Sequence, residues 1–180
     1  PEVIFVPGNH EFYGLNPQKD KDFGEVIIAV ENLFPKNFHY LYNKSIVLRG
    51  QHFHGTTLWF PETYTPVTFV QRARMRDFTA ILNFEPWVYA ENEKAIAFLK
   101  NELDNDEIII THHLPHYLSV PPQYEGSDDN DFFVARNAIP VILGGGAPYT
   151  FPCENDDNGN TNSRPIPKLW IHGHTHTACN

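Results

Sequence analysis

Leu169-Trp170-Ile171-His172-Gly173-His174-Thr175-His176 is an apolar run that ends abruptly in three imidazoles. In an extended backbone residues two apart point to the same side, so His174 and His176 can present their rings to one place from a single strand end. A helical histidine pair puts both rings on one ion, whereas an extended H-x-H preceded by glycine can hand one ring to each of two neighbouring ions. Two cations roughly 4 Å apart are a common arrangement for in-line displacement at phosphorus. A chance cluster or a surface metal patch explains H-x-H alone equally well, so the other strand ends must decide.

Two more apolar runs end in the same way. Val3-Ile4-Phe5-Val6 is short, continuous and closed by Pro7-Gly8, the pattern of a buried strand meeting a turn, and Asn9-His10-Glu11 follow it. Residues 107–111 form a β-branched run that delivers His112-His113-Leu114-Pro115-His116. Helix, apolar strand and polar loop in succession make an α/β pattern, in which ligands collect beyond the carboxyl ends of the strands.

The intervening chain predicts the scaffold. Val26, Ile27, Val30, Leu33 and Phe34 recur at helical spacing over residues 23–34, and Pro35 stops that helix. Residues 45–48 and 51–59 flank Arg49-Gly50 and read as a hairpin or two adjacent strands. The prolines make 61–66 a loop, and 69–84 is helical in part. Arg72, Arg74 and Arg76 lie there at spacings of two, which spreads them around a helix as solvated charges rather than into a site. Residues 91–103 are the clearest helix, with Ala95, Ile96, Leu99 and Leu103 on one face. From 123 to 167 the composition turns to Gly, Asn and Asp, with a short packed element at 132–143 and a loop insertion at 144–165. His39, His52 and His54 read as ordinary strand or surface histidines.

Composition narrows the function classes. The 180 residues suit one domain (1–180) with a real core, and 41% hydrophobic and 14% aromatic residues exclude a disordered chain. No apolar run approaches the ~20 residues that span a bilayer. A formal charge of −9 argues against non-specific grip on a polyanion. A small phosphorylated substrate remains open, because bound divalent cations reverse the local field, and nucleic acid remains open only as a substrate. Cys153 and Cys179 lack metal or redox spacing. Both ends read as cut from something longer, and a cytoplasmic location is the expectation.

Taken together, the three strand ends resemble the calcineurin-like metallophosphoesterases. Gly8-Asn9-His10-Glu11 looks like the family's G-N-H-D/E motif, Thr111-His112-His113-Leu114-Pro115 like its single-histidine motif, and Gly173-His174-Thr175-His176 like its closing G-H-x-H. Four-residue patterns recur by chance, but three in the family's order, each after a strand, are specific. Gly55-Thr56-Thr57-Leu58-Trp59 and Leu169-Trp170-Ile171 also look like the bacterial and phage branch. The resemblance runs from Val3 to His176. It implies an α/β fold, a metallophosphoesterase-type sandwich of mixed β-sheets flanked by helices, incomplete at both ends.

The resemblance also implies roles. Asn9 lends its amide oxygen to the second of two divalent metal ions (Mn, Zn, Fe or Ni), joined there by His112 and His174, while His176 binds the first. A metal-bound hydroxide at this binuclear centre attacks phosphorus in a mono- or diester, and His10 protonates or stabilises the leaving alkoxide. Either His112 or His113 can be the ligand on the residues alone; alternation sends them to opposite sides, and the family pattern favours His112. Glu11, His113 and His172 are supporting residues or alternative ligands, and His116 is structural or supporting. Glu11 either orients His10 or is a first-turn carboxylate favoured by the helix dipole. The family's D-x-H and G-D-x-x-D motifs have no counterpart here, so the resemblance implies that they lie upstream in an intact parent or are lost, and residues 1–180 alone are expected to be inactive. A catalytically inactive metal-binding or scaffold module on the same fold is the alternative. A mononuclear zinc hydrolase of another fold explains the histidines but not Gly8-Asn9-His10-Glu11.

Overall fold

The computed structural model describes residues 1–16, 33–143 and 166–174. Four strands form one mixed sheet in the order β3 (Lys44–Leu48), β4 (Gln51–Thr56), β5 (Ile108–Thr111), β6 (Leu169–His172). The β3–β4 hairpin turns through Arg49 and Gly50, both at positive φ, as a two-residue connection requires. β4, β5 and β6 run parallel. A separate two-stranded parallel sheet joins β1 (Val3–Phe5) to β2 (Phe38–Tyr40). The sheets abut at Gly55, where an added Cβ would lie 2.3 Å from Leu41 Cβ, so no larger residue fits.

Among the described residues four α-helices accompany the strands: α1 (Phe69–Arg74), α2 (Asp77–Ala80), α3 (Phe84–Glu102) and α4 (Ala138–Ile142). Thr68 and Gln71 form a reciprocal capping box that starts α1. α3 makes the crossover between parallel β4 and β5 and buries Ala95, Ile96 and Leu99 with Ile109 of β5 and Ala138 and Ile142 of α4. Its buried polar residues are satisfied: Glu91 accepts from Lys94 Nζ at 2.6 Å and from the Tyr42 hydroxyl, and Asn92 donates to the Trp59 carbonyl. A second core is aromatic, with Phe12, Trp59, Phe60, Phe84 and Phe132 packed edge to face. No helix among the described residues is long and apolar enough to cross a membrane.

Several expected elements are redrawn. The first strand is half-exposed rather than buried, with Val3 42% accessible, because β2 is its pairing partner on one side only among the described residues. β4 stops at Thr56, short of Trp59, because Leu58 turns to φ +53°. α3 starts before the predicted 91, but not as one unbroken helix: Glu85 is extended (φ −96°, ψ 137°) and kinks the element, so the regular helix runs from Pro86, whose missing N–H falls in a first turn and costs nothing. Residues 132–143 hold the end of a 3-10 turn (Asp128–Phe132) and then α4, not one element. The helix expected at 23–34 lies outside the described residues except for Leu33 and Phe34, which are in a turn and a bend, and the insertion at 144–165 lies outside them altogether.

Register sets up the site. Thr56 pairs with Thr111 and Thr111 with His172, so three parallel strands end on one level. Thr57, His112 and Gly173 therefore leave the sheet along the same edge.

Candidate metal centre

Thr57 ties that edge together. Its carbonyl accepts from the His113 backbone at 3.0 Å and from His113 Nδ1 at 3.1 Å, and its hydroxyl donates to the Pro7 carbonyl at 2.8 Å. The left-handed backbone of Leu58, costly for a branched side chain, reverses the chain directly after this strut. The ends of β1, β4 and β5 are thus locked to one another, and residues 8–9 are carried up to His112.

Asn9, His112 and His174 meet there. Asn9 Oδ1 lies 3.1 Å from His112 Nε2, which lies 2.6 Å from His174 Nδ1. Asn9 opens a one-turn 3-10 helix (Asn9–Phe12) and is 7% accessible. Gly8 is there for space, because a Cβ would sit 2.6 Å from His112 Cε1. His174 leaves the strand at φ +70°, so the alternation expected of an extended H-x-H does not govern its ring; His176 lies outside the described residues.

His113 turns the other way. It is fully buried, its ring stacked on His174 at 4.6 Å and packed beside Trp59 at 4.9 Å. Burial holds its pKa well below the ordinary imidazole value, and His174 and then His112 push it the same way. The neutral ring keeps its proton on Nδ1 for the Thr57 carbonyl, and Nε2 has no hydrogen-bond partner among the described residues. The His113 ring, inclined by 30° to that of His174, packs against its face. His172, lowered by burial, sits in the ladder opposite Thr111, and His116 accepts from the Leu118 N–H to close a 3-10 turn.

His10 and Glu11 lie on the outer side of this cluster. The His10 ring is exposed and rests against Tyr13, with centroids 4.7 Å apart. Glu11 accepts from the Gly8 N–H at 2.6 Å, which makes it the first-turn carboxylate of the two readings open in the sequence. His54, read as an ordinary strand or surface histidine, is buried inside β4 between Ser45 and Glu107.

Two features escaped the sequence reading. Asp77 is 1% accessible and accepts from Asn9 Nδ2 at 2.8 Å and from the Tyr13 hydroxyl at 2.7 Å. Its only sequence signal was a carboxylate between Met75 and Phe78. The second is a cavity of about 430 Å³ lined by Met75, Leu114, Val120, Tyr124 and Phe133, with His174 and Arg74 in its wall. Arg74, read as solvated, is 65% accessible and lies 3.7 Å from Asp129.

The donors suit a divalent cation: one amide oxygen and two imidazole nitrogens from three chain segments. Two donors each about 2.1 Å from one ion stand roughly 3 Å apart, as Asn9 Oδ1 and His112 Nε2 do. The His112–His174 spacing is shorter and is that of a hydrogen bond between the rings. Among the described residues no three His, Cys, Asp or Glu side chains are grouped to hold a metal, so the set reaches three only through the Asn9 oxygen.

Residues 1–178 match the family described as calcineurin-like phosphoesterase. An uncharacterized protein of Acanthamoeba polyphaga mimivirus is 26% identical over 196 residues, an alignment that covers 97% of this chain and 61% of that relative. The chain thus spans less than two thirds of the relative's length. No solved structure matches this chain significantly.

Proposed function

This chain belongs to the calcineurin-like phosphoesterase family, and from that premise we propose that it carries part of a binuclear, metal-dependent centre that hydrolyses a phosphate mono- or diester. The observation that supports the reading is the approach of Asn9 Oδ1, His112 Nε2 and His174 Nδ1 at one sheet edge. In this reading those three residues hold one divalent cation and His176 contributes to a second. Divalent cations, when bound, acidify water and neutralise charge on the phosphoryl group.

The chain's own residues do the rest. Asn9 and the two imidazoles are neutral donors, so they leave most of a cation's charge available to an anionic substrate despite the net charge of −9. In this reading His10, exposed beside Tyr13, is the general acid for the leaving oxygen at the mouth of the site. His113 holds the His174 ring by stacking, and Thr57 holds His113. The cavity beside His174 receives the alcohol portion of the ester, with apolar walls that favour an aryl or similarly apolar group.

The test uses the intact protein with an aryl phosphate, supplied with Mn²⁺ or Zn²⁺ or stripped by chelator. Metal-dependent turnover that His174→Ala abolishes is the expected result. Turnover that survives both chelation and His174→Ala contradicts the reading, and metal binding without turnover makes the protein a binding module on this fold.

A further inference from the structure

We propose that Asp77 is a positioning residue that fixes the side-chain amide of Asn9 with its oxygen, rather than its nitrogen, toward the cation. The proposal rests on the reading of Asn9 as a ligand. An asparagine amide has two unlike ends of nearly equal size, an oxygen that accepts and an NH₂ that donates, and only the oxygen can coordinate a metal. Nothing in the Asn9 backbone chooses between them. Partners on the two ends must.

Asp77 makes that choice. Its Oδ1 takes the Asn9 NH₂ at 2.8 Å, and Asn9 Oδ1 is thereby turned to His112 Nε2 at 3.1 Å. A carboxylate accepts and does not donate, so a flipped amide would set oxygen against oxygen in a site that is 1% accessible. The Tyr13 hydroxyl donates to the same Oδ1 at 2.7 Å and is 3.4 Å from Asn9 Nδ2, which pins the carboxylate from the side.

The other carboxylate oxygen suggests that more than a structural tie is being kept. Asp77 Oδ2 is buried with no hydrogen-bond partner among the described residues. Buried polar atoms are ordinarily paired, and a neutral asparagine or serine could tie α2 to Asn9 without leaving an under-satisfied carboxylate. A negative charge behind the amide does two things a neutral group cannot. It forbids the wrong orientation, and it polarises the amide so that its oxygen is a better donor, as carboxylates behind metal-bound histidines do for the ring.

The experiment measures Mn²⁺ affinity of the intact, metal-stripped protein by calorimetric titration, for wild type, Asn9→Ala, Asp77→Asn, Asn9→Asp and the Asn9→Asp/Asp77→Asn double variant. Thermal unfolding alongside verifies that each is folded. Asp77→Asn keeps size and shape but can meet either end of the Asn9 amide, so it should weaken Mn²⁺ binding about 10- to 100-fold. The double variant separates orientation from mere packing. A carboxylate at position 9 has two equivalent oxygens and needs no orienting, so adding Asn9→Asp to Asp77→Asn should restore most of the lost affinity.

Unchanged affinity in Asp77→Asn, with affinity lost in Asn9→Ala, overturns the proposal and leaves the metal site standing. Loss in Asp77→Asn that the double variant does not recover also overturns it, by showing a structural role alone. Unchanged affinity in Asn9→Ala instead removes the site reading on which the proposal rests.

Discussion

The His112 imidazole lies across the backbone of Gly8, so that a methyl group added to Gly8 would stand 2.6 Å from Cε1 and 2.8 Å from Nδ1 of the ring. Gly8 has φ −91°, which any residue adopts, so the constraint is space and not backbone freedom. Gly8→Ala should therefore push His112 away from Asn9 and His174. Overpacking of this kind costs about 1–3 kcal/mol of stability. The larger effect is expected on metal affinity, because His112 is the ring nearest both other donors. Chemical denaturation and Mn²⁺ titration of the intact protein check this. A variant that binds metal as wild type does would show that the ring is free to shift without consequence.

His10 and His174 should separate by role. His174→Ala removes a donor beside His112, whereas the exposed ring of His10 packs on Tyr13. His10→Ala should lower turnover roughly 100-fold or more, the scale of a lost general acid, while metal content stays near normal. His174→Ala should lose metal and activity together. Metal analysis beside kinetics is the test, and equal metal loss in both variants would reverse the assignment.

The strand ends were readable from the sequence because each combines an apolar, β-branched run with an abrupt polar change, as at residues 107–111 before His112. The contribution of the strut at Thr57 was not readable, since it depends on β4 and β5 ending in register and on a left-handed Leu58. Asp77 was hidden for a related reason. A single acid at the start of a short helix beside three arginines looks like a surface charge, and its burial is decided by Asn9 and Tyr13, both more than sixty residues away. Strand alternation does not set the direction of the His174 ring, because the backbone leaves the strand there at φ +70° and the ring stacks on His113.

Glu107 should matter for stability rather than for the site. It accepts from His54 Nε2 and the Asp104 N–H and lies 3.0 Å from His52 Nδ1, at the opposite end of β5 from His112. Glu107→Ala strands a buried imidazole N–H, and a lost buried partner costs about 1–3 kcal/mol. Glu107→Gln should recover much of that. Urea denaturation gives the values, and Mn²⁺ affinity should be unchanged in both. A cost below about 0.5 kcal/mol in the alanine variant, the range of an ordinary surface substitution, would mean that the network is solvated instead.

Val120, 8% accessible, lines the cavity that ends at His174. Val120→Trp should fill part of its 430 Å³ and raise KM for a bulky aryl phosphate about tenfold, with little change for a small alkyl phosphate. Equal changes for both substrates would place the alcohol portion of the ester elsewhere.

On the proposed reading, Asn9, His112 and His174 share one divalent cation. Anomalous diffraction at the metal edge, from crystals of the intact protein grown with Mn²⁺ or Zn²⁺, tests it most directly. A peak is expected roughly 2.0–2.3 Å from Asn9 Oδ1, His112 Nε2 and a ring nitrogen of His174. A metal-loaded crystal whose peaks all lie beyond bonding distance of these three atoms would contradict it.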